Sequence, residues 1–471
     1  MRGRVQAWVL GILVGTAGCA EIQEARKAQD PANARPGERT VTAAELGLVN
    51  DGVLTYDRGL EISLLHNPAI AIFRAQAEQA LASLEEIDAA FYPQILLANA
   101  NYKLEKAGGA HNGTLPLPAG SGPPGSPSPI GHSSIFQAQG GALSMSQLVY
   151  DFGRTPALSR QAFQTWAATE ASLRSTVNDT VLGFKSAYFN VLKQEELIAV
   201  NQESVRDFQR HLDQTQVLVQ VGLRQKYDLT KAQVDLGNAQ LALVKARTAL
   251  ESGRATLNNV LGLAENPRYV LKRTEKPGQW SLSFEEAFAR AQKENPHIIS
   301  FVLQEVAARH GVDAAIASFY PTLSLNGSFS WAGPLTPTTW FSFLGPFLNY
   351  AIFTGWQVTG ALHLSIANLR QAYAARAQAE QQLHLDLSNG YIQLENARES
   401  LKILTLQVKS ATEQLELAQG RYLNGKASSV DLTDAEVALA TAKGNEVEAR
   451  WDLEIAIVTL ERLVGVEGKK D

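Results

Sequence analysis

Cysteine is nearly missing from this chain: of 471 residues only Cys19 carries a thiol, and methionine occurs twice. One thiol excludes an internal disulfide framework and any CxxC-type metal site. The eight histidines, among them His66, His111, His132, His211, His297 and His363, follow no metal-ligand spacing. No glycine-rich phosphate loop is present and no nucleophile and base pair is suggested, while Ser159 and Ser172 lie on Ala-rich helical stretches as ordinary close-packing residues. The chain is therefore expected to be no enzyme and to hold no cofactor and no metal. Positive charge in excess is absent too, since the net charge is -5 and the pI about 6.0, with Lys and Arg scattered. Without a basic stripe, nucleic acid is not an expected partner.

A long apolar run is also lacking. Arg2 and Arg4 precede an apolar stretch from Val5 to Val14, then Gly15-Thr16-Ala17-Gly18-Cys19. This is the layout of a secretory signal, too short to span a bilayer as a mature helix, so residues 1–18 are expected to be a signal peptide and the chain to be exported. Cys19 stands where a bacterial lipoprotein signal places its acylated residue, which makes it the lipidation candidate. Ordinary cleavage near Gly18 or Ala20 would leave it incidental. Residues 19–53, polar and Ala-rich with Pro31, Pro36 and Gly37, read as a tether.

What is present is a duplication. Asn67-Pro68 and Phe91-Tyr92-Pro93 recur as Asn295-Pro296 and Phe319-Tyr320-Pro321 at an offset of 228. Beyond a Pro-rich stretch the offset becomes 203, pairing Tyr188 with Tyr391, Gly222 with Gly425, Asp228-Leu229-Thr230 with Asp431-Leu432-Thr433, and Gly262 with Gly465. The expected organisation is a first repeat over 54–267, a linker at 268–281, a second repeat over 282–467 and a tail at 468–471.

Within each repeat two helical pieces are expected to meet at the Asn-Pro break, because proline removes a helix donor. After Phe-Tyr-Pro the apolar period changes to two. Leu323, Leu325, Gly327, Phe329 and Trp331 alternate with Thr322, Ser324, Asn326, Ser328 and Ser330, as in a strand with an uncharged polar face. Strands are expected at about 94–105, 135–150, 322–331 and 339–353. The first alternates in the opposite phase to the third, which calls for a bulge or a one-residue slip near Pro93. From Thr155 to about Gln220 and from Thr359 to about Leu423 no proline interrupts helical spacing, and a second helix follows each, over Asp228–Leu261 and Asp431–Val464. Each half thus ends in a long helical hairpin.

Two strands and a long helical hairpin, duplicated behind a secretory signal, resemble the TolC-like outer-membrane efflux proteins over about Tyr56 to Val466. The likeness includes Leu148-Val149-Tyr150-Asp151-Phe152-Gly153-Arg154, Gly345-Pro346, Ile352-Phe353-Thr354-Gly355, and Gly222 followed six residues later by Asp228-Leu229. Trp356-Gln357 replaces the usual Gly-Arg. The resemblance implies an α+β membrane protein, a homotrimer in which each chain gives four strands to a shared 12-stranded barrel in outer-membrane lipid, continuing into an α-helical barrel in the periplasm of a Gram-negative bacterium. Four strands of about ten residues close no barrel alone, and open edges are not tolerated in lipid, so closure demands partner chains. Tyr102, Phe329, Trp331, Trp340, Phe341 and Phe343 are candidates for an interfacial girdle, with core aromatics as the other reading.

The function the resemblance implies is a passive exit duct of a tripartite efflux or type I secretion system, served by a periplasmic adaptor and an inner-membrane transporter. Drugs, metal ions and polypeptides all stay open as substrates. Gly222, Leu223, Arg224, Gly425, Lys426 and Ala427 match the family's adaptor-docking tips, where a glycine first means a helix cap. Asp431 and Asp434 match an acidic ring at the closed tunnel end, and Tyr422 with Asp228 a hydrogen-bonded pair that holds it shut. The plainer reading of Asp228 and Asp431 is a carboxylate at a helix N-terminus. The alternative function is a lipid-anchored periplasmic helical scaffold that conducts nothing.

Overall fold

The computed structural model describes residues 20–48, 52–105, 135–272, 279–333, 339–424 and 426–465. The signal segment with Cys19, the tip glycine Gly425, the Gly- and Pro-rich loop after Glu105 and the C-terminal tail lie outside these residues. The element order is α1 (Tyr56–His66), α2 (Pro68–Asp88), β1 (Gln94–Glu105), β2 (Ile135–Tyr150), α3 (Arg154–Gln220) and α4 (Lys226–Val260). Then come α5 (Phe284–Glu294), α6 (Pro296–Ala317), β3 (Thr322–Gly333), β4 (Thr339–Asn349), α7 (Gln357–Leu423) and α8 (Ser429–Val464). Helices α3 and α7 have 67 residues each, on the order of 100 Å at 1.5 Å per residue. The chain divides into two compact units, one of Met1–Gln76, Glu170–Ile299 and Gln378–Asp471, the other of Ala77–Thr169 and Ser300–Ala377.

The first unit is helical, and its core explains the recurring Asn-Pro and Gly motifs. Asn67 Oδ1 accepts from the Ala69 N–H at 2.9 Å, covering a free donor at the start of α2, while its Nδ2 donates to the Val260 carbonyl at the end of α4 (3.2 Å). Asn295 does the same with the His297 N–H (2.9 Å) and the Leu463 carbonyl (2.8 Å) at the end of α8. One side chain thus satisfies orphan groups of two helix ends at once. Gly262 and Gly465 follow those ends at φ +77° and +81°, and a Cβ there would stand 2.5 Å from the His66 carbonyl oxygen and 2.8 Å from that of Glu294. Only glycine fits both the left-handed turn and the approach.

Around this point Phe184, Tyr188, Val191 and Leu192 of α3 pack on Leu54, Ile62, Leu257 and Leu261, all nearly inaccessible. Gly59 admits the Phe184 ring, since a Cβ would be 2.6 Å from its Cζ. The tether reading of 19–53 is corrected here. Val41, Ala43 and Leu48 are buried, Val41 bridges Leu263, and Val53–Leu54 pairs in parallel with Val270–Leu271. Four buried apolar side chains, Val41, Ala43, Leu48 and Leu54, within 14 residues outweigh the polar composition that suggested a tether. The described ends of the 268–281 linker are likewise packed: Tyr269 donates to Asn258 Oδ1 (2.7 Å), and Trp280 Nε1 donates to Tyr391 Oη (3.0 Å).

Helices α3 and α8 run antiparallel along a seam of ion pairs: Asp179–Arg462, Lys185–Glu461, Lys193–Asp452, Glu196–Arg450 and Glu203–Lys443. Pairs this exposed contribute little stability each. Their sense reverses twice along the seam, from acidic on α3 at Asp179 to basic at Lys185 and Lys193 and back to acidic at Glu196 and Glu203, so a large slide of one helix past the other would set like charges together.

The second unit holds a four-stranded antiparallel sheet in the order β1-β2-β3-β4. Register runs Gln94↔Ser146 to Glu105↔Ile135, Gln139↔Gly333 to Leu148↔Ser324, and Thr322↔Asn349 to Ala332↔Thr339. Two expectations are corrected. The irregularity lies not near Pro93 but in β2 between Leu148 and Tyr150. And β4 ends at Asn349 rather than Phe353, because β3 begins at Thr322 behind Pro321 and leaves 350–353 without a partner. At the strand-to-helix passages Phe152-Gly153 and Gly355-Trp356 have positive φ. Asp151 stabilises the first by accepting from the N–H groups of Gly153 (3.2 Å) and Thr155 (2.6 Å).

Candidate functional site

Two surfaces follow from this architecture, the faces of the sheet and the ends of the helical hairpins. Directly opposed residues of an antiparallel ladder share a face. Leu143, Phe329 and Ser342 therefore stand in one row, Gly141, Trp331 and Trp340 in a second, and Met145, Gly327 and Leu344 in a third. Gly141 leaves room for the indole of Trp331, for a Cβ would lie 2.2 Å from its Cζ2. On this face Leu344 and Leu348 are 69% and 68% exposed, as a lipid-facing surface requires. The other face carries Ser144, Ser324, Asn326, Ser328 and Ser330. Phe341, Phe343 and Phe347 of β4 share that second face, opposite Ser330, Ser328 and Ser324. This corrects the girdle expectation for Phe341 and Phe343, whose register puts them on the serine side, whereas Phe329, Trp331 and Trp340 cluster on the apolar one. The side chain of Tyr102 lies outside what is described.

At the first hairpin tip α3 closes on Gly222 (φ +77°). The Leu223 N–H donates to the Leu218 carbonyl (2.9 Å) and the Gly222 N–H to that of Val219 (3.0 Å), the pair of bonds that ends a helix with a left-handed glycine. Leu223 is 72% exposed, and Val217, Val221 and Tyr227 beside it are also exposed. At the second tip the Lys426 N–H donates to the Arg421 carbonyl at 2.8 Å. Lys426 is exposed and Ala427 half-buried. Arg224, expected to be exposed, instead ties the two tips together. Its guanidinium lies 4.7 Å from the Tyr422 ring centroid and donates to the Ala427 carbonyl at 3.3 Å.

That contact removes the expected Tyr422–Asp228 hydrogen bond. Tyr422 is buried between Arg224 and His211, whose ring centroid is 5.6 Å away, and its Oη has no partner among the described residues. Asp228 occupies the first turn of α4 instead. Asp431 forms a capping box: its N–H donates to Ser428 Oγ (3.1 Å) and its carboxylate accepts from the Ser428 N–H (2.9 Å), which holds its carboxyl below the usual range. Asp434, one turn on, is exposed on the same helix.

Behind Tyr422 lies a buried polar cluster. His211 of α3, 2% exposed, has Nε2 3.1 Å from Ser429 Oγ, and its Nδ1 is unpartnered. Thr215, Thr433 and Glu436 are buried with Oγ1, Oγ1 and Oε2 unpartnered as well. A cavity of about 140 Å³ is lined by Asp207, Arg210, His211, Gln214, Gln419, Tyr422, Leu432 and Glu436. Burial pushes the Glu436 carboxyl up to about 7 and holds the His211 imidazole below its ordinary value. Among the described residues no group of three His, Cys, Asp or Glu could hold a metal ion, and no helix is long and apolar enough to cross a membrane.

Residues 59–263 and 288–466 match the family model described as outer membrane efflux protein. The chain belongs to that family. Among relatives of this outer membrane efflux protein is the toluene efflux pump outer membrane protein TtgC of Pseudomonas putida, 23% identical over 330 residues, covering 68% of this chain and 67% of TtgC. The outer membrane protein TolC of Vibrio cholerae is 22% identical over 335 residues, covering 66% of this chain and 72% of TolC. The Campylobacter jejuni CmeC outer membrane channel superposes with a TM-score of 0.74 at 17% identity, over 87% of this chain and 85% of CmeC. The fold is that of outer-membrane channels, and the outer membrane is where this efflux protein belongs.

Sequence reasoning singled out the tip glycines, Asp431 and Asp434 of the efflux protein but missed Val217, Val221, Tyr227 and the His211–Glu436 cluster. A signal was present: Ser429, Thr433 and Glu436 recur at helical spacing in line with Leu432 and Leu439, so polar residues follow a buried stripe. Glu305 was missed too. This buried carboxylate of α6 accepts from Arg309 and from Arg376 (2.5 and 3.0 Å), a paired arrangement that makes burial of its charge tolerable.

Proposed function

We propose that three copies of this chain join their sheets into one closed 12-stranded barrel and their helices into a periplasmic tunnel, forming the passive exit duct of a tripartite efflux or type I secretion system. The observation that carries this reading is the open sheet: β1 and β4 each have a single strand partner within the chain, and one face presents exposed Leu and Trp side chains. Unpaired edges do not persist in lipid, so β4 of one copy must pair with β1 of the next. The two efflux-protein stretches, 54–267 and 282–467, act as quasi-equivalent halves, and Cys19 supplies a lipid anchor.

The tips around Gly222, Leu223, Arg224, Gly425, Lys426 and Ala427 dock a periplasmic adaptor, with Val221 and Tyr227 adding apolar area. Energy comes from an inner-membrane transporter joined through that adaptor. Asp431 and Asp434 of three copies ring the aperture and favour cations. The gate is held by Arg224 across Tyr422, with Asp228 at the base of the same tip. Adaptor contact shifts a closed population to an open one by engaging the exposed arrangement better.

Strand closure is tested by cysteine pairs placed on β1 (95–97) and β4 (344–348) in a Cys19→Ser background. Oxidation of membranes is expected to give cross-linked species that stop at three chains. Cross-links absent at every register, or a ladder continuing past three, would remove the trimeric duct and favour a scaffold that conducts nothing.

A further inference from the structure

We propose that the buried cluster of His211, Ser429, Tyr422, Thr433 and Glu436 is a hydrated internal proton-exchange site, in which loosening of the tip moves one proton from Glu436 to His211. The role given to loosening rests on the duct reading; the proton exchange itself does not.

The geometry that points to it is the coincidence of a cavity with unpartnered polar atoms. His211 Nδ1, Tyr422 Oη and Glu436 Oε2 are buried without a protein partner among the described residues and belong to residues that line the cavity, while Thr215 Oγ1 and Thr433 Oγ1, also unpartnered, lie outside its lining. A buried polar group without a partner is costly, and ordered water is the usual remedy. The cavity of about 140 Å³ has room for several waters at about 10–15 Å³ of such volume each. His211 and Glu436 both line it, from α3 and α8, so water can join the two titratable groups. Metal is not the ligand, for no three His, Cys, Asp or Glu side chains of the described residues come together.

The surrounding charges leave these two groups to titrate. From α3, Asp207 raises and Arg210 lowers the Glu436 carboxyl, and from α4 Asp235 raises it, all three behind burial as the main cause. Asp207 is paired with Arg210 and Asp235 with Lys231. His211 feels burial first, then Asp235, Lys231, Asp228 and Arg224. From α7 the cavity receives Gln419 and Tyr422. At the far edge of Glu436 lie Glu203 and Lys443, themselves an ion pair.

The packed cluster is therefore neutral, with Glu436 protonated and His211 not. Its carboxyl, lifted from 4.5 to about 7, keeps a proton that a loosened, hydrated site releases as pH rises from about 4.5 towards 7. His211, held below 6.5, excludes a proton that a loosened site takes up as pH falls through 6.5. Below pH 6.5, where both shifts act, loosening breaks the Glu436 O–H bond and forms an N–H bond on His211, with water carrying the proton. Release and uptake oppose each other, and the loosened state holds a carboxylate and an imidazolium. Either group alone would tilt the balance by up to about tenfold per pH unit; together they oppose.

The test is amide hydrogen exchange of peptides covering 422–440 in the full-length protein between pH 5 and 6.5, corrected for the intrinsic pH dependence of exchange. Wild type is expected to vary less steeply than either single variant. Glu436→Gln, left with His211, should loosen by up to about tenfold per unit as pH falls; His211→Gln, left with Glu436, should loosen as pH rises. Infrared titration of the unmodified chain should show a protonated carboxyl persisting to about pH 7, a readout that survives if a variant fails to fold. Variants no steeper than wild type, or no protonated carboxyl above about pH 5, overturns the proposal. Exchange and infrared read the cluster whether or not the chain conducts, so failure of the duct leaves a distinct signature.

Discussion

Leu344→Arg is expected to abolish assembly in the outer membrane, whereas Ser328→Arg, from the opposite face of the same ladder, is expected to assemble. Leu344 lies at the centre of β4, opposite Gly327 and 69% exposed on the apolar face. An arginine near the bilayer midplane costs about 2–4 kcal/mol on the lipid face of a barrel. In the proposed trimer three copies would repeat that cost around one barrel, a large fraction of the stability of most folded proteins. Ser328 stands opposite Phe343 on the serine-bearing face, which in the proposed barrel meets water in the lumen, so a charge there would alter conductance instead. Detergent-extracted trimers on unheated gels read both outcomes. Equal assembly of the two variants would show that the apolar face does not meet lipid.

Phe184→Ala is expected to lower the stability of the helical unit by about 3–5 kcal/mol, the usual cost of emptying a fully buried phenylalanine site. Phe184 is completely inaccessible and contacts Tyr56 and Tyr188 at ring-centroid distances of 5.8 and 5.6 Å. The site has little freedom to collapse, because Gly59 closes against the ring and the helix ends around it are fixed by Asn67 and Gly262. Thermal loss of helical circular dichroism measures it. A shift no larger than that of an exposed control such as Leu406→Ala would mean that this core does not hold the unit together.

Much of the fold was legible because the sequence punctuates it locally. Pro68 and Pro296 lack the donor a helix needs, so the break after His66 and Glu294 could be read from composition alone. What the preceding asparagines do could not, since Asn67 bonds to a carbonyl 193 residues away. The alternation of β3 was plain, whereas the end of β4 depended on where β3 began, a fact of pairing and not of the Tyr350–Phe353 side chains. At the tips the glycine turn was visible, but the reach of Arg224 to Ala427 joins two hairpins distant in sequence. Glu436 falls in line with the buried stripe of Leu432 and Leu439, but its meeting with His211 joins helices distant in sequence and is visible only in the packing.

The most direct measurement is single-channel conductance of the purified chain in planar bilayers, comparing wild type with Asp431→Ala plus Asp434→Ala. Small cation-selective openings that lose selectivity in the double variant are predicted, since six carboxylates would leave one narrow axis. No conductance from detergent-stable, correctly folded protein, even with the tips loosened by Arg224→Ala and Tyr422→Ala, would contradict the duct.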